Sequence, residues 1–234
     1  MLRNLLTIIA TLSVCTASSI SDQISLIRNP THDATYSPPY SPIATSDAAR
    51  LLIIGDVHGM LDELKKLLKK AEFTASRGDR VIFVGDLVNK GPNSAGVVQH
   101  AMDINAASIR GNHEDKVLRV WAGAEEARLN AEAKGKDGDK AYKAFKKSLG
   151  SGKKDALKVA ESLTSEQRAW LAAVPVALRL GELPGLGDVA VVHGGYDYLW
   201  YGRHLEEVAD IRLVRILFHH ISPSELDNLG TPLR

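Results

Sequence analysis

Four short polar clusters hold the residues best suited to chemistry. They are Gly55-Asp56-Val57-His58-Gly59, Gly85-Asp86-Leu87-Val88-Asn89-Lys90-Gly91, Gly111-Asn112-His113-Glu114 and His193-Gly194-Gly195. Carboxylate and amide oxygens with imidazole nitrogens, and no thiolate, suit borderline divalent ions such as Mn, Fe or Zn. Asp86 can bridge two such ions. Asp56 and Asp86 neutralise only part of the charge of an ion pair, which leaves an excess of about +2 to attract phosphate oxygens and to lower the pKa of water towards ~7. The hydroxide formed there can attack phosphorus in line, and no protein nucleophile is needed.

These clusters need elements that bring them together. Residues 51–54 form a continuous apolar run that stops at Gly55, as expected for a strand buried on both faces. Leu61, Leu64, Leu67, Leu68 and Ala71 then follow helical spacing. Residues 80–84 predict a second strand, 97–102 a short helix, 106–109 a third strand and 189–192 a fourth. Strands alternating with helices predict a mainly parallel α/β sheet. In such sheets, sites form beyond the carboxyl ends of the strands, which is where all four clusters fall. Residues 117–171 are rich in Ala, Lys and Glu. They predict helices broken at Gly135, Gly138, Gly150 and Gly152, with a last helix stopped before Pro175. Ser151-Gly152-Lys153-Lys154 lacks the phosphate-loop pattern and reads as a turn.

Taken in order, Gly55-Asp56-x-His58-Gly59, Gly85-Asp86-x-x-x-x-Gly91, Gly111-Asn112-His113-Glu114 and His193-Gly194-Gly195 resemble the calcineurin-like metallophosphoesterase superfamily. The resemblance is to its serine/threonine-phosphatase and diadenosine-tetraphosphatase branch, and it spans residues 51 to about 195. It implies an α/β fold, an α/β/β/α sandwich with a mainly parallel first sheet and an incomplete second sheet. It implies that Asp56 and His58 hold one metal ion, that Asp86 bridges, and that Asn112 and His193 hold the second. Asp86 and His113 are then the catalytic pair, with His113 the acid that protonates the leaving oxygen. Lys90, Asn112 and His113 contact the substrate phosphate. Lys90 stands where the protein phosphatases have arginine, so the charge is kept and the bidentate fork lost. Asn89 stands where they have an aspartate that orients the acid histidine. These features, with residues 163–175, are closer to the diadenosine-tetraphosphatase and fungal vacuolar endopolyphosphatase types. The implied substrate is a phosphorylated small molecule, with polyphosphate or a similar phosphoanhydride favoured. The alternatives are a phosphoprotein substrate, or an inactive remnant that binds metal or polyanions.

The chain has 234 residues, 44% of them hydrophobic and 24% charged, with a net charge of +1. That fits one globular domain and gives no whole-chain case for nucleic-acid binding. One cysteine excludes an intrachain disulfide framework and a Cys-rich zinc site. Residues 1–20 read as a signal peptide, with Arg3 before an apolar stretch and small residues at Ala17, or as an uncleaved membrane anchor. Residues 21–50 read as a Pro/Ser-rich linker, and 51–234 as the catalytic domain with its Lys-rich helical insert at 117–171. A leader of this kind places the chain in the secretory pathway, in a vacuolar lumen or outside the cell. His100, His204, His219 and His220 read as ordinary surface or core histidines. Only 41 residues follow His193, without the further metal-binding histidine of full-length relatives. The expectation is therefore a truncated or alternatively spliced product.

Overall fold

A computed structural model of the chain describes residues 19–31, 33–35, 50–183, 187–194 and 211–213. In chain order the elements are α1 (Ile20–Arg28), β1 (Asp33–Thr35), β2 (Leu51–Ile54), α2 (Leu61–Lys70), β3 (Arg80–Phe83), α3 (Ser94–Asp103), β4 (Ala107–Ser108), α4 (Asn112–Glu132), α5 (Gly138–Ser148), α6 (Ser151–Ser162), α7 (Ser165–Ala173), β5 (Ala177–Leu183), β6 (Gly187–Val192) and β7 (Ile211–Leu213). The strands β2, β3 and β4 form a parallel sheet in that order. A second sheet has the order β1-β5-β6-β7, in which only the β5–β6 pair is antiparallel.

Strand parity explains why the apolar runs are continuous. Successive side chains point to opposite faces of a strand. Val81 and Phe83 join a core with Leu64, Leu68, Val97, Leu118 and Trp121 on the helical side. Ile82 and Val84 join Ala107, Ile109, Leu178, Leu180, Val189 and Val191 between the two sheets. Leu52 and Ile54 lean on the first core, and Leu51 and Ile53 on the second. Both Ile82 and Phe83 are fully buried, and each such burial contributes ~1.5–3 kcal/mol. Any polar residue in this run would be stranded against one core or the other.

The helices follow their local chemistry. Leu64 and Leu68 are the buried pair on α2, one turn apart. Asp62 and Glu63 open that helix and Lys69 and Lys70 close it, each matched to the macrodipole. Thr164 and Gln167 start α7 with reciprocal bonds: Gln167 N donates to Thr164 Oγ1 (3.1 Å), and Thr164 N donates to Gln167 Oε1 (3.0 Å). Gly135, at φ 65, closes the turn after α4 in a conformation that costs other residues more.

Several sequence expectations need correction. Gly138 opens α5 and Gly152 lies in the first turn of α6, so neither breaks a helix. Ser151-Gly152-Lys153-Lys154 is likewise the start of α6, not a turn, because Lys153 N and Lys154 N both donate to Gly150 O. The strand at 189–192 belongs to the second sheet, beside β5, an element the apolar pattern does not announce. The linker reading of 21–50 misses α1 and β1. Ile20, Ile24 and Ile27 have helical spacing, and Ser19 and Asp22 form a capping box. The strand β1 then pairs with β5 from Asp33 opposite Ala177. Residues 1–18 of the leader read at 1–20, together with Gly195, His204, His219 and His220, lie outside the described residues, while Ser19 and Ile20 belong to the start of α1. No described helix is long and apolar enough to cross a membrane.

One buried carboxylate fixes the entry to the parallel sheet. The Asp79 side chain is fully buried and accepts from Arg50 Nη2 (2.7 Å), Arg50 N (3.1 Å) and Thr74 N (3.0 Å). The Arg50 hydrogen bond, against the opposing effect of burial, holds its carboxyl well below the ordinary 3.8. A carboxyl depressed in the folded state stabilises the fold above its unfolded pKa and ceases to do so as pH falls through the folded value. Urea denaturation of Asp79→Asn and the parent should therefore differ at pH 7, and the gap should narrow steadily below about pH 4. A gap independent of pH would show that Asp79 acts only by shape.

Candidate metal centre

The loop after β2 and the loop after β3 are laced together by backbone bonds. Val57 N (3.1 Å) and His58 N (2.8 Å) both donate to Asp86 O, Gly59 N donates to Leu87 O (2.8 Å), and Gly91 N donates to His58 O (2.8 Å). Among the described residues, six non-glycine residues have positive φ, and His58, Asp86, Asn89 and Lys90 are four of them. Strain of this kind persists only where surroundings over-determine it, and it clusters at functional sites. A side chain at Gly111 would strike Asp86 Oδ1, so the third loop reaches the second only as glycine.

The side chains converge on Asp86. His58 Nε2 lies 3.3 Å from Asp56 Oδ2 and 3.6 Å from Asp86 Oδ2. On the other side, His193 Nε2 lies 3.3 Å from Asp86 Oδ1 and 3.0 Å from Asn112 Oδ1. Two groups, His58-Asp86-His113 and Asp56-Asp86-His193, each keep their donor atoms within 4.8 Å of one another. They share Asp86, the geometry a bridging carboxylate needs. The ends of β2 and β3, the start of α4 and the end of β6 thus supply one cluster.

The outer nitrogens show how the rings are held. His58 Nδ1 lies 3.3 Å from Val88 O, and His193 Nδ1 lies 2.7 Å from Val84 O. A carbonyl can only accept, so each Nδ1 carries the proton and each Nε2 faces inward. Histidines that bind metals are oriented in this way. Asn112 Oδ1 faces the Asp86 carboxylate, acceptor against acceptor, unless the amide turns over and donates. A cation at this point resolves the conflict, and the donor set fits one. Without a cation, the Asp86 hydrogen bond holds the His193 imidazole protonated, pushed up to about 9. Burial pushes the Asp86 carboxyl up, but its bonds with His193 and with His113 N (3.0 Å) bring it below its ordinary value.

His113 stands beside this cluster, its Nε2 3.9 Å from Asp86 Oδ2 and its ring edge-on to His58 at 4.7 Å. Asn89 occupies the orienting position: its Nδ2 donates to His113 Nδ1 (3.1 Å), while its Oδ1 accepts from Lys90 N (3.0 Å). That arrangement leaves the proton of neutral His113 on Nε2, facing the cluster. Burial holds His113 below the ordinary imidazole value, opposed by Asp86 and aided by Lys90. Lys90 is exposed at the rim, and its Nζ donates to His58 Nε2 (2.8 Å).

The sequence of residues 49–230 matches the profile of the calcineurin-like phosphoesterases. The chain belongs to the calcineurin-like phosphoesterase family. Its α/β architecture with a parallel three-stranded sheet agrees with that membership. Members act as metal-dependent hydrolases and typically use two metal ions. Among characterised relatives, the symmetrical bis(5'-nucleosyl)-tetraphosphatase of Hamiltonella defensa is 41% identical over 73 residues, which are 30% of this chain and 26% of that protein. The protein of the same name from Escherichia coli is 42% identical over 73 residues, again 30% of this chain and 26% of the relative. The match thus spans about a quarter of the length of these relatives. The crystal structure of a metallophosphoesterase from Sphaerobacter thermophilus overlays with a TM-score of 0.40 at 22% identity, covering 61% of this chain and 46% of the other.

Two residues of this phosphoesterase-family chain have no role in the sequence reading, although Glu114 ends one of its clusters. Glu114, fully buried, accepts from Asp86 N (2.7 Å), Gly111 N (2.9 Å) and Val88 N (3.1 Å). Burial and the Asp86 charge push its carboxyl up, against these three bonds. An acid three residues after the glycine that caps a helix is a legible sign of such a bracket. Arg110, also buried, sits just before Gly111 and bonds to carbonyls of α1 and α7. Only the apolar strand that it ends marks it out in the sequence.

Proposed function

We propose that this chain hydrolyses phosphoanhydrides or phosphate esters with the aid of two divalent metal ions. The observation that carries the reading is the inward-facing Nε2 of two histidines, each anchored to a carbonyl through Nδ1, meeting Asp56, Asp86 and Asn112. Asp56 and His58 would hold one ion and Asn112 and His193 the other, with Asp86 placed to serve both. When bound, Mn, Fe or Zn ions at such a site polarise phosphoryl oxygens and acidify water. Asp86, anchored by His113 N and Glu114, keeps the two halves in register. His113 presents its Nε2 proton to the leaving oxygen, with Asn89 fixing the ring. Lys90 exchanges its bond to His58 for one to the substrate phosphate.

Phosphoanhydrides are the favoured substrate class. Relatives named as tetraphosphatases are 41–42% identical to this chain over 73 residues, and polyphosphate offers the same linkage. The N-terminal apolar stretch supports a secretory or vacuolar location. The test is purified protein with Mn, Zn or Co, assayed on a chromogenic phosphate ester, short polyphosphate, diadenosine tetraphosphate and a phosphopeptide. Metal-dependent release from the phosphoanhydrides above the phosphopeptide is expected. Bound metal without turnover on any of the four would leave only a binding protein.

Lys90 gives a separate prediction. Lys90→Ala should raise KM by roughly 10-fold or more, the cost of one hydrogen bond to a charged group, and leave metal content unchanged. Lys90→Arg should restore KM, because a guanidinium grips phosphate at least as well. Unchanged KM in the alanine variant would remove Lys90 from the substrate site.

A further inference from the structure

The segment carrying α1 and β1 precedes the region matched to the family, which begins at residue 49. It is nonetheless built into the molecule. Ile27 is fully buried in the helical core. The Arg28 guanidinium grips Glu126 of α4 at 2.6 and 3.0 Å, and Gln23 Nε2 donates to Ser165 Oγ of α7 (3.1 Å). Beyond the helix, Val176 N donates to Thr31 O (2.9 Å), which leads the chain into β1.

The contact that matters for the metal centre is Arg110. Its Nη1 donates to Ile27 O (3.3 Å), and its Nη2 donates to Leu26 O (3.4 Å) and to Ala172 O (2.6 Å). These are last-turn carbonyls of α1 and α7, which have no partner within their own helices and carry the negative end of each dipole. One buried cation thus closes two helices. On the chain side, Arg110 N donates to Pro175 O (2.7 Å), and Nη1 lies 3.7 Å from Asp115 Oδ1. Between Arg110 and Asp115 run Gly111, Asn112, His113 and Glu114, the whole third loop of the cluster.

We propose that Arg110 is a positioning residue for the metal centre and that α1 is its required counterpart. The two helix ends hold the guanidinium, and the guanidinium sets where Asn112 and His113 enter the cluster. The N-terminal helix is therefore a working part of the site, not an appendage to it. This inference rests on the reading of the cluster as a cation site.

The test uses the full chain and two readouts, Mn2+ affinity by calorimetry and thermal melting. Arg110→Lys keeps the charge but cannot reach three carbonyls, and Ile27→Ala loosens α1 without touching the loop. Each should weaken Mn2+ binding about 10-fold, as changes to the groups that orient ligands do. The double variant should weaken it by less than the product, because both act through one linkage. Leu157→Ala, on α6 of the helical core and bonded to neither Arg110 nor the cluster, should lower the melting temperature and leave Mn2+ affinity unchanged. Parental affinity in Arg110→Lys, or an equal loss in Leu157→Ala, would overturn the inference. An Asp86→Asn control separates the two readings. If it loses Mn2+ while Arg110→Lys does not, only this inference fails. If it binds Mn2+ with the stoichiometry and affinity of the parent, the cation site itself fails and the inference falls with it.

Discussion

Asp86→Asn is expected to abolish phosphoesterase turnover and to reduce bound metal from two ions per chain to one or none. Asp86 is the residue shared by both donor groups, and its two oxygens face different histidines. An amide offers one neutral oxygen and a competing donor, so it can serve one side at most. Changes to groups that merely orient ligands cost about 10–100-fold in affinity or activity, and loss of a bridging carboxylate should exceed that range. The measurement is metal content by emission spectroscopy with activity on the same preparation. Near-parental turnover with two ions per chain would place the chemistry elsewhere.

The second large effect is on stability. Glu114→Ala should destabilise the fold by about 3 kcal/mol or more, because three backbone N–H groups lose their acceptor in a site closed to water. That is a large share of the ~5–15 kcal/mol that holds a typical domain together. Glu114→Gln retains one oxygen and should fall between the two. Its amide can still accept from Asp86 N and Gly111 N, while its NH2 confronts Val88 N. Chemical denaturation measures both steps. Loss of metal affinity in the folded fraction is expected to accompany them, since the same carboxylate sets the spacing between Asp86 and Asn112. A glutamine variant as stable as the parent would show that the bracket tolerates an unmet donor.

Much of the site is legible in the order of the residues alone. The four clusters fall at strand ends because glycine and polar residues interrupt apolar runs there, and a run can be both strand and switch between two cores. Asp56, His58, Asp86, Asn112 and His193 do come together, with His113 and Lys90 at the edge. What stays hidden in the sequence depends on tertiary context. The strand β5 follows Pro175 with Arg179 and Gly181 among its leucines, so no long apolar run announces it. The helix α1 is nine residues long, too short to be stable by propensity, and it exists because Ile27, Gln23 and Arg28 find partners far along the chain. Arg110 looks like an ordinary charged residue until the carbonyls it serves are brought beside it, and Glu114 shows in sequence only its capping position. The lysines of α5 and α6 are mainly a solvated face, and two of them are tied in pairs, Lys146 to Glu161 and Lys158 to Asp155.

His193 is carried by β6, whereas the other donors rise from β2, β3 and α4. A cation held among them would act as a rivet through the joint where the two sheets meet. The thickness of that joint is set by the apolar side chains of Ile82, Val84, Val189 and Val191, although the Val84 carbonyl also anchors His193. Adding or removing a methyl group there changes the reach of one imidazole relative to everything opposite it. Were the proposed ions to bind there, selectivity by radius would depend partly on greasy residues at the seam.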